Sequence, residues 1–344
     1  MAFLDLGYEV TLSSPYGNRI EDLKALGCKY IETKFNNRGT RIKDDLKLIN
    51  QYRKVMQHVK PDVVLTYMIK PNIYGGIAAN KEKIPFIANI TGLGTAIHKE
   101  GLSQKIIINL YRFAFKKAFF VFFQNEGNMN FFKQKRIAFK QGKLLPGSGV
   151  NLAKFSPLPY PTDEIISFAF VARVMKDKGI DHYLEAAKVL STNYKNVKFY
   201  ICGACDAAYE KILNDYQKAG IITYLGMVSD VREIYRKMHC IVLPSYHEGL
   251  SNVLLESAAS ARPNITTNIN GCKEVVEDGV TGILVEAKNT KSLILGIEKF
   301  LNLNAKEREK MGENGRLKVE KEFDRQMVID AYLEIIRKVK GMKK

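Results

Sequence analysis

The sequence predicts an α/β protein built as two doubly wound domains, and three observations carry that expectation. Short apolar, β-branched or aromatic runs alternate with longer amphipathic stretches along the whole chain. Its 344 residues exceed one typical domain and suit two of about 150 each. Near the middle, residues 155–163 hold Pro157, Pro159 and Pro161, a density that neither a helix nor a central strand tolerates.

Taken in order, the strands expected in the first domain are residues 8–13, 29–33, 62–67, 85–91 and 119–124. Those of the second are 166–174, 197–202, 222–225, 240–244, 264–269 and 282–285. Helices fall between most of them, such as 40–58, 179–190 and 207–219. This β-α rhythm implies parallel sheets covered by helices on both faces. The proline-rich stretch reads as the link between domains. It sets an N-terminal domain at 1–153, a linker at 154–163, a C-terminal domain at 164–322 and a last helix, 323–344, packing back toward the first domain. Two such domains would open a cleft between the carboxyl ends of their sheets, where ligands of this fold class bind. The start of the chain departs from the pattern. It opens as the end of a helix closing at Gly7 and passes directly into a strand, with no earlier strand and glycine-rich turn. Read this way, the first domain lacks its first, usually central strand, a loss of about 20–30 residues. It is expected to be the more loosely held of the two.

Composition narrows the function classes. Residues 1–150 hold 24 Lys and Arg against 11 Asp and Glu, the remainder 29 against 25. The first half therefore suits an anionic partner, and the second is an ordinary balanced domain. No nucleic-acid recognition motif accompanies the charge, which excludes nucleic acid as the partner. No run approaches the ~18 apolar residues of a membrane span. The opening residues, with Asp5 and no basic leader, do not read as a signal peptide. Cys28, Cys202, Cys205, Cys240 and Cys272 are scattered. Only Cys202 and Cys205 share C-x-x-C spacing, without the second pair that a zinc site needs. Buried thiols in a reducing cytoplasm are the expectation.

Two constellations carry chemistry. Arg173 stands at the end of the strand 166–174, and Lys178 precedes a helix opening at Gly179. A cation there opposes the helix dipole, a conflict that a bound diphosphate would remove; otherwise both are solvated surface cations. Further on, a strand ends at Pro244, a loop carries Glu248 and Gly249, and a helix begins near Ser251 or Asn252. The amides of Gly249, Leu250, Ser251, Asn252 and Val253 form an anion-binding end, and Gly249 lets a ligand approach the backbone. Glu248 and Glu256 suit sugar hydroxyls better than phosphates, unless Glu256 merely complements the helix end and Glu248 is solvated.

Taken together, these residues resemble the family-4 retaining glycosyltransferases of the GT-B fold, two Rossmann-like domains facing a cleft. The matching pieces are Arg173 with Lys178 and Gly179, the E-x7-E pair Glu248 and Glu256, the stretch 271–282 and the stretch 147–157. Thr91, Gly92 and Gly94, with the phrase 122–125, are similar to bacterial enzymes of capsule, O-antigen and lipid-linked oligosaccharide assembly. The resemblance implies that Arg173 and Lys178 bind the donor diphosphate, Glu248 the transferred sugar and Glu256 the ribose. It further implies base contacts along Gly226 to Val228, and an acceptor side near Thr91, Gly92, Gly94 and His98, the last otherwise an ordinary loop histidine. Asn151 stands where the family commonly has Asp. The resemblance implies a UDP-sugar donor and a reaction with retention. No D-x-D pair occurs, so no metal or other cofactor is expected, two cations and a helix end serving the leaving diphosphate instead.

The basic first domain supplies a second expectation. Residues 99–143 carry ten Lys and Arg among nine phenylalanines, a mixture suited to anionic lipid at the inner face of a cell membrane. The cluster 119–123 reads as a buried strand, so this expectation rests on Lys105, Arg112, Lys116, Lys117 and the group 133–136. The acceptor would be a lipid-linked glycan. A catalytically impaired sugar-nucleotide binder and a GT-B epimerase are the competing readings.

Overall fold

The computed structural model describes residues 2–17, 19–35, 42–93 and 101–341. The chain forms two compact units, Met1–Leu145 with Ile329–Lys344, and Pro146–Val328.

The first unit runs α1 (Ala2–Asp5), β1 (Thr11–Ser14), α2 (Ile20–Ala25), β2 (Lys29–Glu32), α3 (Ile42–Val59) and β3 (Val64–Tyr67). A π turn, Pro71–Gly75, leads into α4 (Gly76–Lys81) and β4 (Phe86–Ile90), followed by α5 (Leu102–Phe115), β5 (Phe120–Phe123), α6 (Glu126–Gln134) and β6 (Gly142–Leu144). Its strands make two separate parallel sheets, β1-β2 and β3-β4-β5-β6. Every residue of β4 and β5 is buried, which is why β5 reads as an unbroken apolar run and β4 as one interrupted only by Asn89. Tyr111 and Phe115 of α5 meet Phe132 of α6 and Phe123 of β5 in an edge-to-face cluster. From the chain's far end, Tyr332 stacks 4.7 Å from Phe122 and accepts a hydrogen bond from Asn89.

The second unit holds β7 (Ile166–Val171), α7 (Ile180–Asn193), β8 (Val197–Cys202), α8 (Glu210–Lys218), β9 (Thr223–Tyr224) and α9 (Arg232–Lys237). It continues with β10 (Cys240–Leu243), α10 (Asn252–Ala259), β11 (Asn264–Thr267), β12 (Gly282–Val285), α11 (Thr290–Leu301) and α12 (Ala305–Glu322); α13 (Arg325–Gly341) closes the chain. One parallel sheet has the order β12-β11-β10-β7-β8-β9. The chain builds outward from β7 on one side, then returns to β10 on the other. The strand order therefore reverses between β7 and β10, the position at which doubly wound sheets open a crevice.

Four expectations are corrected. The boundary lies at Leu145–Pro146, not at 153, and the stretch 154–163 belongs to the second unit instead of linking two. Phe155 is buried in that unit's core. Arg262, itself fully buried, donates to the carbonyls of Leu158 at 3.1 Å and Pro159 at 2.5 Å. These bonds satisfy carbonyls that the proline-rich segment cannot pair in a ladder. The helix expected from Gly179 is preceded by a 3₁₀ turn at Lys176–Lys178, and Gly179 itself is left-handed, with φ +75°. The strand expected at 166–174 stops at Val171, and β6 went unforeseen because Gly-Lys-Leu is exposed throughout. Among the thiols, Cys202, Cys240 and Cys272 are buried, and Cys28 and Cys205 are half-buried.

His239, beneath β7, is a buried titratable group with a fixed task. The Ser167 amide donates to its Nδ1 at 3.1 Å, which requires the neutral ring. Burial, and then Arg308, hold its pKa down to about 4 from the ordinary 6.5. The unfolded chain therefore takes up a proton first as pH falls. Stability is complete above pH 6.5 and declines toward pH 4 by up to about 3 kcal/mol. Urea-unfolding midpoints should fall across that range more steeply for the natural chain than for His239→Asn, whose amide oxygen accepts from Ser167 without titrating.

Candidate functional site

The sheet of the second unit ends, at β7 and β10, in two loops that dock on each other. Gly179 sits so close to β10 that a Cβ there would lie 2.0 Å from the Pro244 carbonyl oxygen. The Tyr246 amide donates to the Asp177 carbonyl at 2.9 Å. With the two backbones held this way, Lys178 Nζ reaches Glu248 Oε1 at 2.5 Å. The same carboxylate oxygen accepts from Ser245 Oγ at 2.8 Å. Ser245 is fully buried, and its carbonyl receives the Thr267 hydroxyl at 2.6 Å. The sequence suggested Lys178 and Glu248 as separate ligands or separate solvated charges. They form an ion pair at the switch point, with side chains 22% and 11% exposed.

The loop that carries Glu248 continues into α10. Ser251 caps this helix by accepting from the Leu254 amide. Gly271, with φ +90°, packs against the loop so tightly that a Cβ would meet the Gly249 carbonyl oxygen at 2.7 Å. Its carbonyl takes the Ser251 amide at 2.9 Å. That bond corrects the expectation for Ser251, whose amide and hydroxyl are both committed to the protein. The amides of Asn252 and Val253, first in the helix, have no intrahelical acceptor and remain suited to an anion. Leu250 is buried against Gly147, so its side chain serves packing. Asn252 is exposed, and its side-chain oxygen accepts from Ser148 Oγ at 2.7 Å.

Glu256, on the second turn of α10, is half-buried. Burial raises its pKa, against the opposing pull of Lys154 and Arg325. Arg173 is exposed two residues beyond β7. The neighbouring loop is held by the Gly203 amide donating to the Gly226 carbonyl at 2.8 Å, which brings Gly226 to Val228 to the same sheet edge. Met227, between the two foreseen residues, is 77% exposed. All these positions follow the carboxyl ends of β7, β8, β9 and β10. In the first unit, Thr91 and Gly92 follow β4 and are half-buried, whereas Gly94 and His98 lie outside the described residues.

Sequence reasoning missed Ser245 and Thr267. Ser245 stood inside the motif it singled out, but a hydroxyl two residues past a strand carries no signal of what it will hold.

The ion pair is testable without any ligand. Lys178→Met or Glu248→Gln leaves the partner charge half-buried and alone. Each should cost about 1–2 kcal/mol of stability, with a coupling of about 1 kcal/mol in the double variant. Strictly additive losses in urea unfolding would show that the pair does not tie the two loops.

Comparison with known proteins places this geometry. Residues 154–318 match the family described as glycosyl transferases group 1, and residues 1–125 match the glycosyl transferase 4-like family. The N,N'-diacetylbacillosaminyl-diphospho-undecaprenol α-1,3-N-acetylgalactosaminyltransferase of Campylobacter jejuni is 26% identical over 98% of this chain and 93% of its own. The UDP-Gal:α-D-GlcNAc-diphosphoundecaprenol α-1,3-galactosyltransferase of Escherichia coli is 27% identical over 86% of this chain and 81% of its own. In fold, the chain is similar to Anabaena HepE in complex with UDP and glucose, with a TM-score of 0.76 at 16% identity over 96% of this chain and 90% of that one. It is also similar to the sucrose-phosphate synthase of Thermosynechococcus elongatus, with a TM-score of 0.79 at 16% identity over 99% of this chain and 91% of that one. The chain belongs to the family-4 glycosyltransferases of the GT-B fold.

Proposed function

We propose that this glycosyltransferase moves a hexose or N-acetylhexosamine from a UDP-sugar to a polyprenyl-diphosphate-linked glycan, with retention and without a metal. The reaction would serve bacterial surface-polysaccharide or glycoprotein-glycan synthesis at the inner face of the cell membrane, with the basic first unit toward anionic lipid. The observation that carries this reading is the Lys178–Glu248 pair at the switch point of the second unit's sheet. A diphosphate arriving there draws on Lys178 and Arg173, which neutralise the charge that grows as the leaving nucleotide departs. Oε1 of Glu248 is held by Lys178 and Ser245, which orients its second oxygen to accept from a sugar hydroxyl. Glu256 accepts from the ribose. The acceptor hydroxyl attacks the anomeric carbon on the face from which the diphosphate leaves, and its proton passes to the leaving phosphate oxygen. The names of the Campylobacter and Escherichia relatives support a lipid-linked acceptor, and the UDP complex of HepE supports the nucleotide.

The donor half is tested by calorimetry with UDP. Binding should persist in EDTA, and Arg173→Ala or Lys178→Ala should weaken it by about 1.5–3 kcal/mol. Binding that disappears with EDTA overturns the metal-free reading.

The two glutamates should separate by function. Glu256→Ala should weaken UDP itself, whereas Glu248→Ala should leave UDP affinity nearly intact and lower turnover of the sugar nucleotide. Equal loss of UDP affinity in both variants would remove these roles.

A further inference from the structure

Helix α5 turns Gln104, Ile108, Tyr111, Ala114 and Phe115 into the core of the first unit. Its opposite side is not the polar surface such a helix ordinarily shows. Leu102 is 76% exposed, Ile106 52% and Phe113 68%. At about 100° per residue, these three positions fall within about 40° of one another, so they form one ridge along the helix. Lys105, Asn109, Arg112 and Lys116 are exposed beside them, and residues 101–125 contain no Asp or Glu. The aromatic richness of the region is otherwise spent inside: Phe115, Phe120, Phe122, Phe123 and Phe132 are all buried. Arg112 is braced, donating to the Lys135 carbonyl at 2.6 Å and to Asn109 at 3.0 Å, which secures α5 to the end of α6.

An exposed apolar ridge of this length calls for a cover. A second copy of the chain is a poor one, because two such faces would bring lysines and arginines together with no carboxylate between them. An anionic bilayer satisfies both components, apolar side chains entering the acyl boundary and cations resting on phosphates. We propose that α5 lies in the plane of an anionic membrane, with Leu102, Ile106 and Phe113 inserted below the headgroups and Lys105, Lys116 and Lys117 on the lipid phosphates. This deepens the reading of a lipid-linked acceptor and rests on it for its purpose, though its test does not read glycosyl transfer.

The test is flotation of the full chain with vesicles of phosphatidylcholine, with or without phosphatidylglycerol, carrying no glycan. The chain should float with the anionic vesicles and about tenfold less with phosphatidylcholine alone. The double variant Ile106→Ser with Phe113→Ser should lose about tenfold in partition, as should Lys105→Glu with Lys116→Glu. Both variants should keep the thermal unfolding midpoint of the natural chain, which separates lost insertion from lost folding. A natural chain that does not float overturns the proposal, as does flotation indifferent to Ile106 and Phe113. Dimerisation in light scattering that depends on Ile106 and Phe113, without flotation, would overturn it in favour of a face between copies. In a separate transfer assay, absence of transfer to a lipid-linked acceptor would sink the acceptor reading and, with flotation as expected, leave the membrane face standing.

Discussion

The close backbone approach between Gly179 and Pro244 is the constraint on which the site depends. A sheet whose strand order reverses between β7 and β10 brings together two loops that lie some 70 residues apart in sequence. Only a residue without a side chain allows them to touch, because a carbonyl oxygen cannot rotate away as a side chain can. Once they touch, Lys178 reaches the Glu248 carboxylate, which Ser245 also holds. From the next strand, the Thr266 hydroxyl donates to Leu243 at the end of β10 and that of Thr267 to Ser245 in the loop. The charged groups are thus the last members of a chain of backbone contacts, and their placement needs no bound ligand.

An ion pair with this degree of burial contributes little net stability, because the attraction is offset by the water both groups give up. Its value is positional. A lysine already desolvated and already aimed needs less reorganisation when an anion arrives than one swinging free in solvent. Under the proposed function, the exposed Arg173 is the cation whose side chain would have to be ordered at binding, at a cost in rotamer entropy.

Much of this was legible in the sequence, for reasons that differ by element. Strands such as β5 and β7 announced themselves because burial on both faces makes nearly every residue apolar, Ser167 of β7 being the exception. β6 did not, since an exposed edge strand has no such pattern. The proline cluster was visible, but its attachment was not: whether 154–163 links two units or wraps one depends on Arg262, about a hundred residues further on. Lys178 and Glu248 were singled out by type and spacing, yet their pairing belongs to the tertiary structure. Likewise the charge of α5 was plain, whereas Phe113 looked no different from the buried Phe115 until the helical phase separated them.

The thiols have a practical consequence. Three of five are buried, and the two half-buried ones divide evenly, Cys28 in the first unit and Cys205 in the second. The Cys205 thiol is held above its ordinary pKa by burial and then by Glu210, which slows its alkylation, since the thiolate is the reactive form. The natural chain thus offers one half-buried thiol for labelling on each unit, with no cysteine added or removed.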